Sequence, residues 1–333
     1  MSESSDYDQG DYTGVDFSSA RKEFDKRSGR SYRDAIKSKK PLTAVKADSV
    51  YTSCSSPLVI VADETGSMGK WAAPIFAKLG YLVNEGQVYL GNDMEISFCA
   101  VGDAYSDDYP LQPRPFAKGL ELSERLKELI IERRGGGNKG ESYELPALYY
   151  ANKCLTPNAI RKPIIIFIGD DVPHELVSRD QAKKIVGVNL EYEMSARDAF
   201  EELKEKFSVF MILKPPKANA GENDARNRAV YDRWVGLLGD SNVKVLTDAN
   251  RVVDVIFGIL AEITNRNDAF RDDMENRQTP AQRKTVYKSL GLNSDGTPKI
   301  KSVSPGIKKP ATVPNGGKSV LRVPATRKPG RLF

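Results

Sequence analysis

An acid and two hydroxyls follow the first strongly apolar run of the sequence. The run LVIVA at 58–62 leads into DETGSMG at 63–69, so Thr65 and Ser67 stand two and four positions after Asp63. A tight loop with an acid and hydroxyls on one side offers oxygen ligands to a hard cation such as Mg²⁺, which keeps several of its waters. The same residues also suit a loop in which Asp63 caps the next helix and the hydroxyls bond turn amides.

Two further segments place polar groups beside apolar patterns. The run IIIFI at 164–168 leads into Gly169-Asp170-Asp171. Asp170 is thus a second acid at the end of a predicted buried strand. The segment GGGNKGES at 135–142 ends in Glu141 and Ser142, directly before a helical pattern. It lacks the Lys-Ser/Thr pair of a phosphate-binding P-loop, and Glu141 would repel a phosphate. These segments favour cation binding over nucleotide binding.

The elements that must position these groups alternate along the chain. Three apolar runs, LVIVA, IIIFI and SVFMIL, contain no alternating polar residues. This pattern is typical of strands that are covered on both faces. Strands alternating with helices of this length predict an α/β fold with a doubly wound, mainly parallel sheet flanked by helices. Ligands of such sheets bind at the carboxyl ends of the strands. The predicted strands are 58–62, 95–101, 164–168, 207–213 and 243–246, and the predicted helices are 71–83, 121–133, 143–154, 196–206, 224–238 and 251–264.

Over about residues 57–260 the chain resembles the von Willebrand factor A (vWA) domain family. DETGSM resembles the DxSxS motif of that family's metal-ion-dependent adhesion site, or MIDAS. The resemblance implies a Rossmann-like fold and a site that binds Mg²⁺, or else Mn²⁺ or Ca²⁺. The family's middle threonine has no clean counterpart, and a carboxylate in its place would make the site more negative. The residues implied as metal ligands are Asp63, Thr65, Ser67, Asp170 and either Ser142 or Glu141.

The resemblance also implies a function. A vWA domain is a non-enzymatic protein-binding domain that engages an acidic side chain of its partner through the bound metal. The expected role is a scaffold or adaptor in an intracellular or phage-type assembly, beside a partner such as an AAA+ ATPase of the MoxR type. The expected location is the cytoplasm, or the virion for a phage-encoded chain.

A second family uses the same residues for different chemistry. DETGS at 63–67 is close to the DKTGT motif of haloacid-dehalogenase-like phosphohydrolases, in which the leading aspartate accepts a phosphoryl group. That resemblance implies Asp63 as nucleophile, a Mg²⁺ loop at Asp170 and a lysine such as Lys162. However, Thr65 stands where phosphatases have a general acid, and the triple glycine has no role in that mechanism. The adhesion site is therefore the preferred interpretation.

Charge and composition divide the chain into four parts. Residues 1–50 form a polar arm that is expected to be partly disordered. Residues 51–265 are expected to form the domain that resembles vWA domains, and 266–298 a helical extension. Residues 299–333 are rich in Pro and Gly and hold nine basic residues and no acid. Because the whole chain carries +5 and this tail +9, the remainder carries −4. The tail is expected to be disordered. Two roles are consistent with the composition of the tail. It docks on an acidic protein or a nucleic acid, or it is a solvated arm without a fixed partner.

Other residues limit the possible chemistry. No apolar run approaches the roughly 20 residues of a membrane-spanning helix, so no membrane contact is expected. Three cysteines and one histidine exclude a disulfide framework and a multi-histidine metal site. His174 is expected at the rim of the site, Asp103 at a solvated edge and Trp234 in packing.

Overall fold

The computed structural model describes most of the chain between residues 47 and 299. The described residues are 47–63, 65–68, 71, 82–119, 121–122, 125, 128–130, 140–217, 221 and 224–299. The chain divides into two units, residues 1–299 and residues 300–333, and the second lies wholly outside the described residues. Most of the two predicted arms lies outside them as well, as does the triple glycine at 135–137.

Strands and helices alternate along the described residues. In chain order the strands are β1 (Val50–Tyr51), β2 (Ser56–Asp63), β3 (Met94–Val101), β4 (Leu111–Pro113), β5 (Cys154–Leu155), β6 (Ile164–Gly169), β7 (Leu176–Val177), β8 (Met194–Ser195), β9 (Ser208–Leu213) and β10 (Val243–Val245). The helices are α1 (Leu82–Leu90), α2 (Glu144–Lys153), α3 (Arg179–Gln181), α4 (Ala196–Lys206), α5 (Ala225–Leu238), α6 (Val252–Thr264), α7 (Asn267–Arg277) and α8 (Pro280–Leu290). Shorter 3₁₀ turns lie at Gly66–Met68, Asp240–Asn242 and Ala249–Arg251, and a π-helical turn at Ala182–Val186 continues α3. No helix of the described residues combines the length and the hydropathy needed to cross a bilayer.

Six strands form the central sheet, in the order β10-β9-β6-β2-β3-β4. Neighbouring strands are parallel except for β3 and β4, which pair antiparallel. From β2 the chain builds outward through β3 to β4 and then returns to the other side of β2 for β6, β9 and β10. The strand order therefore reverses between β2 and β6. This arrangement confirms the predicted doubly wound, mainly parallel α/β fold.

Helices cover both faces of the sheet, which explains the continuous apolar runs. In β2, Leu58 and Ile60 pack into a core shared with α1, α6, α7 and α8. Val59 and Val61 point to the opposite face and pack into a core shared with α2, α4 and α5. Because successive side chains of a strand alternate between faces, a strand buried on both sides must be apolar throughout.

The predicted helical extension contains α7 and α8. Phe270 of α7 and Leu290 of α8 are buried in the same core as α6. Gly258 in α6 allows this approach, because a Cβ there would lie 2.2 Å from Cδ1 of Leu290. The extension is therefore continuous with the hydrophobic core of the sheet.

One predicted helix lies mostly outside the described residues, and one observed strand was not predicted. The pattern over 71–83 predicts a helix there, and the described helix that follows is α1, at Leu82–Leu90. Residues 72–81 lie outside the described residues. The edge strand β4 was not predicted as a separate strand because its three residues are too few to show a period. It pairs antiparallel with β3 and forms one edge of the sheet.

Candidate functional site

Asp63 and Asp170 lie at the carboxyl ends of two neighbouring strands. Asp63 is the last residue of β2, and Asp170 directly follows β6. The strands are parallel and Ala62 pairs with Ile168, so both chains leave the sheet at the same edge. Because the strand order reverses between β2 and β6, this edge is the topological switch point at which doubly wound sheets bind ligands.

A chain of hydrogen-bonding oxygens joins the two acids. Oδ1 of Asp63 accepts hydrogen bonds from the backbone N–H of Thr65 at 2.8 Å and from its hydroxyl at 2.6 Å. The hydroxyl oxygens of Thr65 and Ser67 are 3.0 Å apart, and Ser67 donates to Oδ1 of Asp170 at 2.7 Å. The 3₁₀ turn at Gly66–Met68 aims Ser67 at Asp170, and its last residue, Met68, is fully buried. The structure thus brings together four of the predicted ligands.

The oxygen chain contains three oxygen–oxygen contacts but only two hydroxyl hydrogens to fill them. Each hydroxyl carries one hydrogen, and the hydrogens of Thr65 and Ser67 are both directed to carboxylates. The 3.0 Å contact between the two hydroxyl oxygens is then left without a hydrogen while both acids are ionised. Either a proton on a carboxyl group or a cation coordinated by these oxygens removes the shortage.

Burial makes ionisation of Asp63 unfavourable in the absence of a cation. Asp63 is 0% exposed, and its burial, with a further contribution from the charge of Asp170, raises its pKa to about 7. Hydrogen bonds from Thr65 and Tyr143 act in the opposite direction. All of these donors are neutral, so they compensate the loss of hydration only in part.

Tyr143 is a member of the site that sequence reasoning missed. Its hydroxyl donates to Oδ2 of Asp63 at 2.5 Å, and the ring is fully buried. Burial, followed by the charge of Asp63, raises the tyrosine pKa well above its ordinary value, so the phenol remains a donor. The ring stands over Gly169, where a Cβ would lie 1.9 Å from the hydroxyl oxygen. The sequence signal was weak: Tyr143 immediately follows the glycine-rich segment.

Lys214 is the second residue that was missed. It directly follows β9, and its Nζ donates to Oδ2 of Asp170 at 2.6 Å and to the carbonyl oxygen of Ser67 at 3.0 Å. A charged residue that ends a buried strand beside β6 was the available signal. Lys162, by contrast, precedes β6 at the opposite edge of the sheet, where its Nζ donates to the carbonyl of Lys204. Lys162 is therefore not the lysine of this site.

Glu141 and Ser142 take different positions beside the oxygen chain. The hydroxyl of Ser142 accepts from the backbone N–H of Ala104 at 2.9 Å, which ties this segment to the loop after β3. Glu141 is buried, and its Oε2 has no hydrogen-bond partner among the residues that the structure describes. Its burial, followed by the charges of Asp63 and Asp103, raises its pKa to about 10. Burial therefore favours the protonated form of Glu141 in the absence of a cation.

His174 and Asp103 form a pair beside this segment. The two atoms Nε2 of His174 and Oδ1 of Asp103 are 2.9 Å apart, and the edge of the ring packs against Tyr105. Asp103 is only 3% exposed, so the prediction of a solvated edge was wrong. His174 and the backbone N–H of Tyr105, which donates to Asp103, close over the carboxylate. Trp234 is fully buried and bonds the carbonyl of Asp171, which fits its predicted packing role.

The oxygen chain fits a small hard cation better than a soft one. Among the described residues, no three His, Cys, Asp or Glu side chains are grouped closely enough to hold a metal ion. A cation here would be held by the carboxylates of Asp63 and Asp170 and the hydroxyls of Thr65 and Ser67. Mg²⁺ accepts such a set because it needs only one or two carboxylates and completes its coordination with water.

Comparisons with known proteins assign no family. A scan against protein-family models and a search of curated proteins both find no match. Among solved structures, the chain is similar to the pilus adhesin SpaC from Lactobacillus rhamnosus GG in its open conformation, at 12% identity and a TM-score of 0.43. A second crystal structure of SpaC matches at 12% identity and a TM-score of 0.39. The matches cover 70% of this chain but 31% and 32% of the SpaC chains, so the chain spans about a third of their length.

Proposed function

We propose that this chain contains a vWA-type, metal-dependent protein-binding domain that holds Mg²⁺, or alternatively Mn²⁺ or Ca²⁺, at an adhesion-type site. The observation that carries the proposal is the oxygen chain from Asp63 through Thr65 and Ser67 to Asp170. It joins two strand ends at the switch point and follows the order of the DETGSM motif. No catalytic step is part of the proposal.

The shortage of hydrogens supports a cation at this position. A cation coordinated by the two hydroxyl oxygens and the two carboxylates would remove the need for a third hydrogen. It would also stabilise the buried charge of Asp63, whose donors are neutral. Glu141, whose buried Oε2 has no partner within the described part of the chain, is the better placed substitute for the family's middle threonine, because the hydroxyl of Ser142 already accepts a hydrogen bond from the backbone N–H of Ala104.

The exposure of the loop supports a macromolecular ligand. Asp63, Thr65 and Asp170 are buried, whereas Gly66 and Ser67 are exposed. The buried residues would therefore coordinate the ion on its protein side. The side of the ion next to Ser67 would face solvent and be accessible to a partner. The bound cation supplies an open coordination position for a carboxylate oxygen of that partner. An acidic side chain on the surface of another protein is the chemistry that this position recognises.

The wider role follows from the family resemblance. We propose a scaffold or adaptor function in a cytoplasmic or phage-type assembly, with an AAA+ ATPase of the MoxR type as one class of partner. The basic segment at 299–333 would provide a second attachment to an acidic protein or a nucleic acid.

A pull-down tests this function directly. The full chain is used as bait in Mg²⁺ and again in EDTA, beside Asp63→Ala and the control Asp180→Asn. Asp180 is exposed and pairs with Lys184 on the surface, and it makes none of the contacts of the oxygen chain. We expect one set of proteins to be retained by the wild type and the control in Mg²⁺ and lost both in EDTA and with Asp63→Ala. Identical retention by the wild type in Mg²⁺, by the wild type in EDTA and by Asp63→Ala in Mg²⁺ contradicts the proposal.

One observation favours the phosphohydrolase alternative. Lys214 beside Asp170 provides a lysine that Lys162 cannot provide. However, both carboxylate oxygens of Asp63 already accept hydrogen bonds, one from Thr65 and one from Tyr143. The bond from Tyr143 would have to be broken or shared before Oδ2 could attack a phosphorus atom. Thr65 also cannot donate a proton as a carboxylic acid does. Phosphoryl transfer therefore remains the second candidate.

A further inference from the structure

Lys214 places an ammonium group against the candidate cation site. Its Nζ lies 2.6 Å from Oδ2 of Asp170 and 3.0 Å from the carbonyl oxygen of Ser67. The exposed fractions of the Lys214 and Asp170 side chains are 11% and 4%. Its backbone N–H donates to the carbonyl of Gly169 at 2.8 Å, which fixes the lysine beside the end of β6. The lysine is therefore built into the switch point.

This ammonium group interacts with oxygens of the same residues that would hold the ion. A divalent cation bound to Asp170 would face a full positive charge a few ångströms away, in a region where little water screens the repulsion. When both are ionised, as in a complex with a cation, the carboxylates of Asp63 and Asp170 carry two negative charges, and Lys214 cancels one of them. The attraction of the site for a cation is reduced accordingly.

We propose that Lys214 sets the affinity of this site for divalent cations by competing with the ion for Asp170. The inference rests on the proposed function, because it assumes that the oxygen chain is a cation site. When Lys214 and a divalent ion are both present, they carry three positive charges and the two carboxylates carry two negative charges. The site then has a net charge of one positive unit. The carboxylate of an acidic partner balances that charge, so the ion and the partner are expected to bind cooperatively.

The test measures Mn²⁺ binding to the full chain by calorimetry. Lys214→Met removes the charge and keeps the length of the side chain, and Lys214→Gln removes the charge but keeps a hydrogen-bond donor for Asp170. Lys217→Met is the matched control, since Lys217 pairs with Asp224 on the surface and has 57% of its side chain exposed. Thermal unfolding without metal establishes that each variant is folded, and its shift on adding Mn²⁺ gives a second measure of binding.

We expect both Lys214 variants to bind Mn²⁺ at least about tenfold more tightly than the wild type, with Lys217→Met within about twofold of it. A larger thermal shift with Mn²⁺ should accompany the tighter binding. Equal or weaker binding by both Lys214 variants, with a wild type that does bind, overturns the inference alone. Binding by the variants but not by the wild type supports the inference and contradicts the proposed function of the wild type. Absence of binding in every protein contradicts both.

Discussion

The hydroxyl of Tyr143 donates a hydrogen bond of 2.5 Å to Oδ2 of Asp63, across 80 positions of the sequence. Both residues are fully buried. The bond joins the segment that precedes α2 to the end of β2, and it holds the carboxylate in the orientation in which its other oxygen faces Thr65. The geometry of the site therefore depends on a residue outside the DETGSM motif.

Replacing Tyr143 with Phe should cost more stability than the same change at a comparable tyrosine. Tyr149 is also buried in this region, but its hydroxyl donates to a neutral acceptor, the carbonyl of Ala47. Hydrogen bonds to charged acceptors contribute about 1.5–3 kcal/mol, and those to neutral acceptors about 0.5–1.5 kcal/mol. Urea denaturation at about pH 8, where Asp63 is largely ionised, should therefore give a larger loss for Tyr143→Phe than for Tyr149→Phe. Equal losses would show that the bond to Asp63 has no special role.

Replacing Gly169 with Ala should disturb the site through Tyr143. The added Cβ would lie 1.9 Å from the tyrosine hydroxyl and 2.7 Å from Cζ, so the ring must move away from Asp63. Forced repacking of this kind costs about 1–3 kcal/mol. Gly236→Ala is the control, because nothing lies within 4 Å of a Cβ at this position in α5, and alanine should stabilise the helix. Thermal unfolding should show opposite signs for the two variants, and a stable Gly169→Ala would contradict the observed packing.

The pH dependence of stability should report on Glu144. Its burial raises its pKa well above the ordinary value of 4.5, with Asp103 adding to the rise and the backbone N–H of His174 opposing it. The folded protein therefore keeps a proton that the unfolded chain loses, and this group makes the free energy of unfolding fall as pH rises above 4.5. Glu144→Gln cannot ionise, so this contribution to the fall in the free energy of unfolding with pH is absent in the variant.

The measurement is chemical denaturation of wild type and Glu144→Gln between about pH 5 and about pH 8. The advantage of the variant should grow with pH, by up to about 1.4 kcal/mol per pH unit. Glu201→Gln, at an exposed residue that pairs with Lys204, should show no such trend. A constant difference between wild type and Glu144→Gln across this range would mean that Glu144 is ionised in the folded protein.

The fold and half of the site follow from patterns that the sequence carries openly. The buried strands β2, β6 and β9 are continuous apolar runs, so their ends can be located, and parallel strands must end at the same edge. That reasoning was sufficient to predict that Asp63, Thr65 and Ser67 meet Asp170.

The remaining site residues depend on packing that no local pattern encodes. Tyr143 reaches Asp63 only because Gly169 leaves room for its ring. Lys214 reaches Asp170 only because β9 lies beside β6, and strand order is a tertiary property. Asp103 was expected in solvent because its neighbours are acidic, whereas His174 buries it from another loop.

Phosphatase assays should separate the two candidate functions. Mg²⁺-dependent hydrolysis of an aryl phosphate by the wild type is expected to be no faster than by Asp63→Asn. Beryllium fluoride, which mimics a phosphoryl group on an aspartate, is expected not to raise the unfolding temperature. The physical reason is that Asp63 is hydrogen-bonded at both oxygens and lacks a neighbouring acid at position 65. Clear turnover that is lost in Asp63→Asn would place phosphoryl transfer first.

The most direct test of the adhesion-type site is a calorimetric titration of Mn²⁺ into the full chain at about pH 8. Wild type, Asp63→Ala and Asp170→Asn are compared with Asp180→Asn, which changes an exposed acid outside the site. We predict one bound ion in the wild type and in the control, and affinity at least about tenfold weaker in the two site variants, because each loses a carboxylate ligand. The same heats in wild type and Asp63→Ala, or no binding by the wild type, would contradict the account.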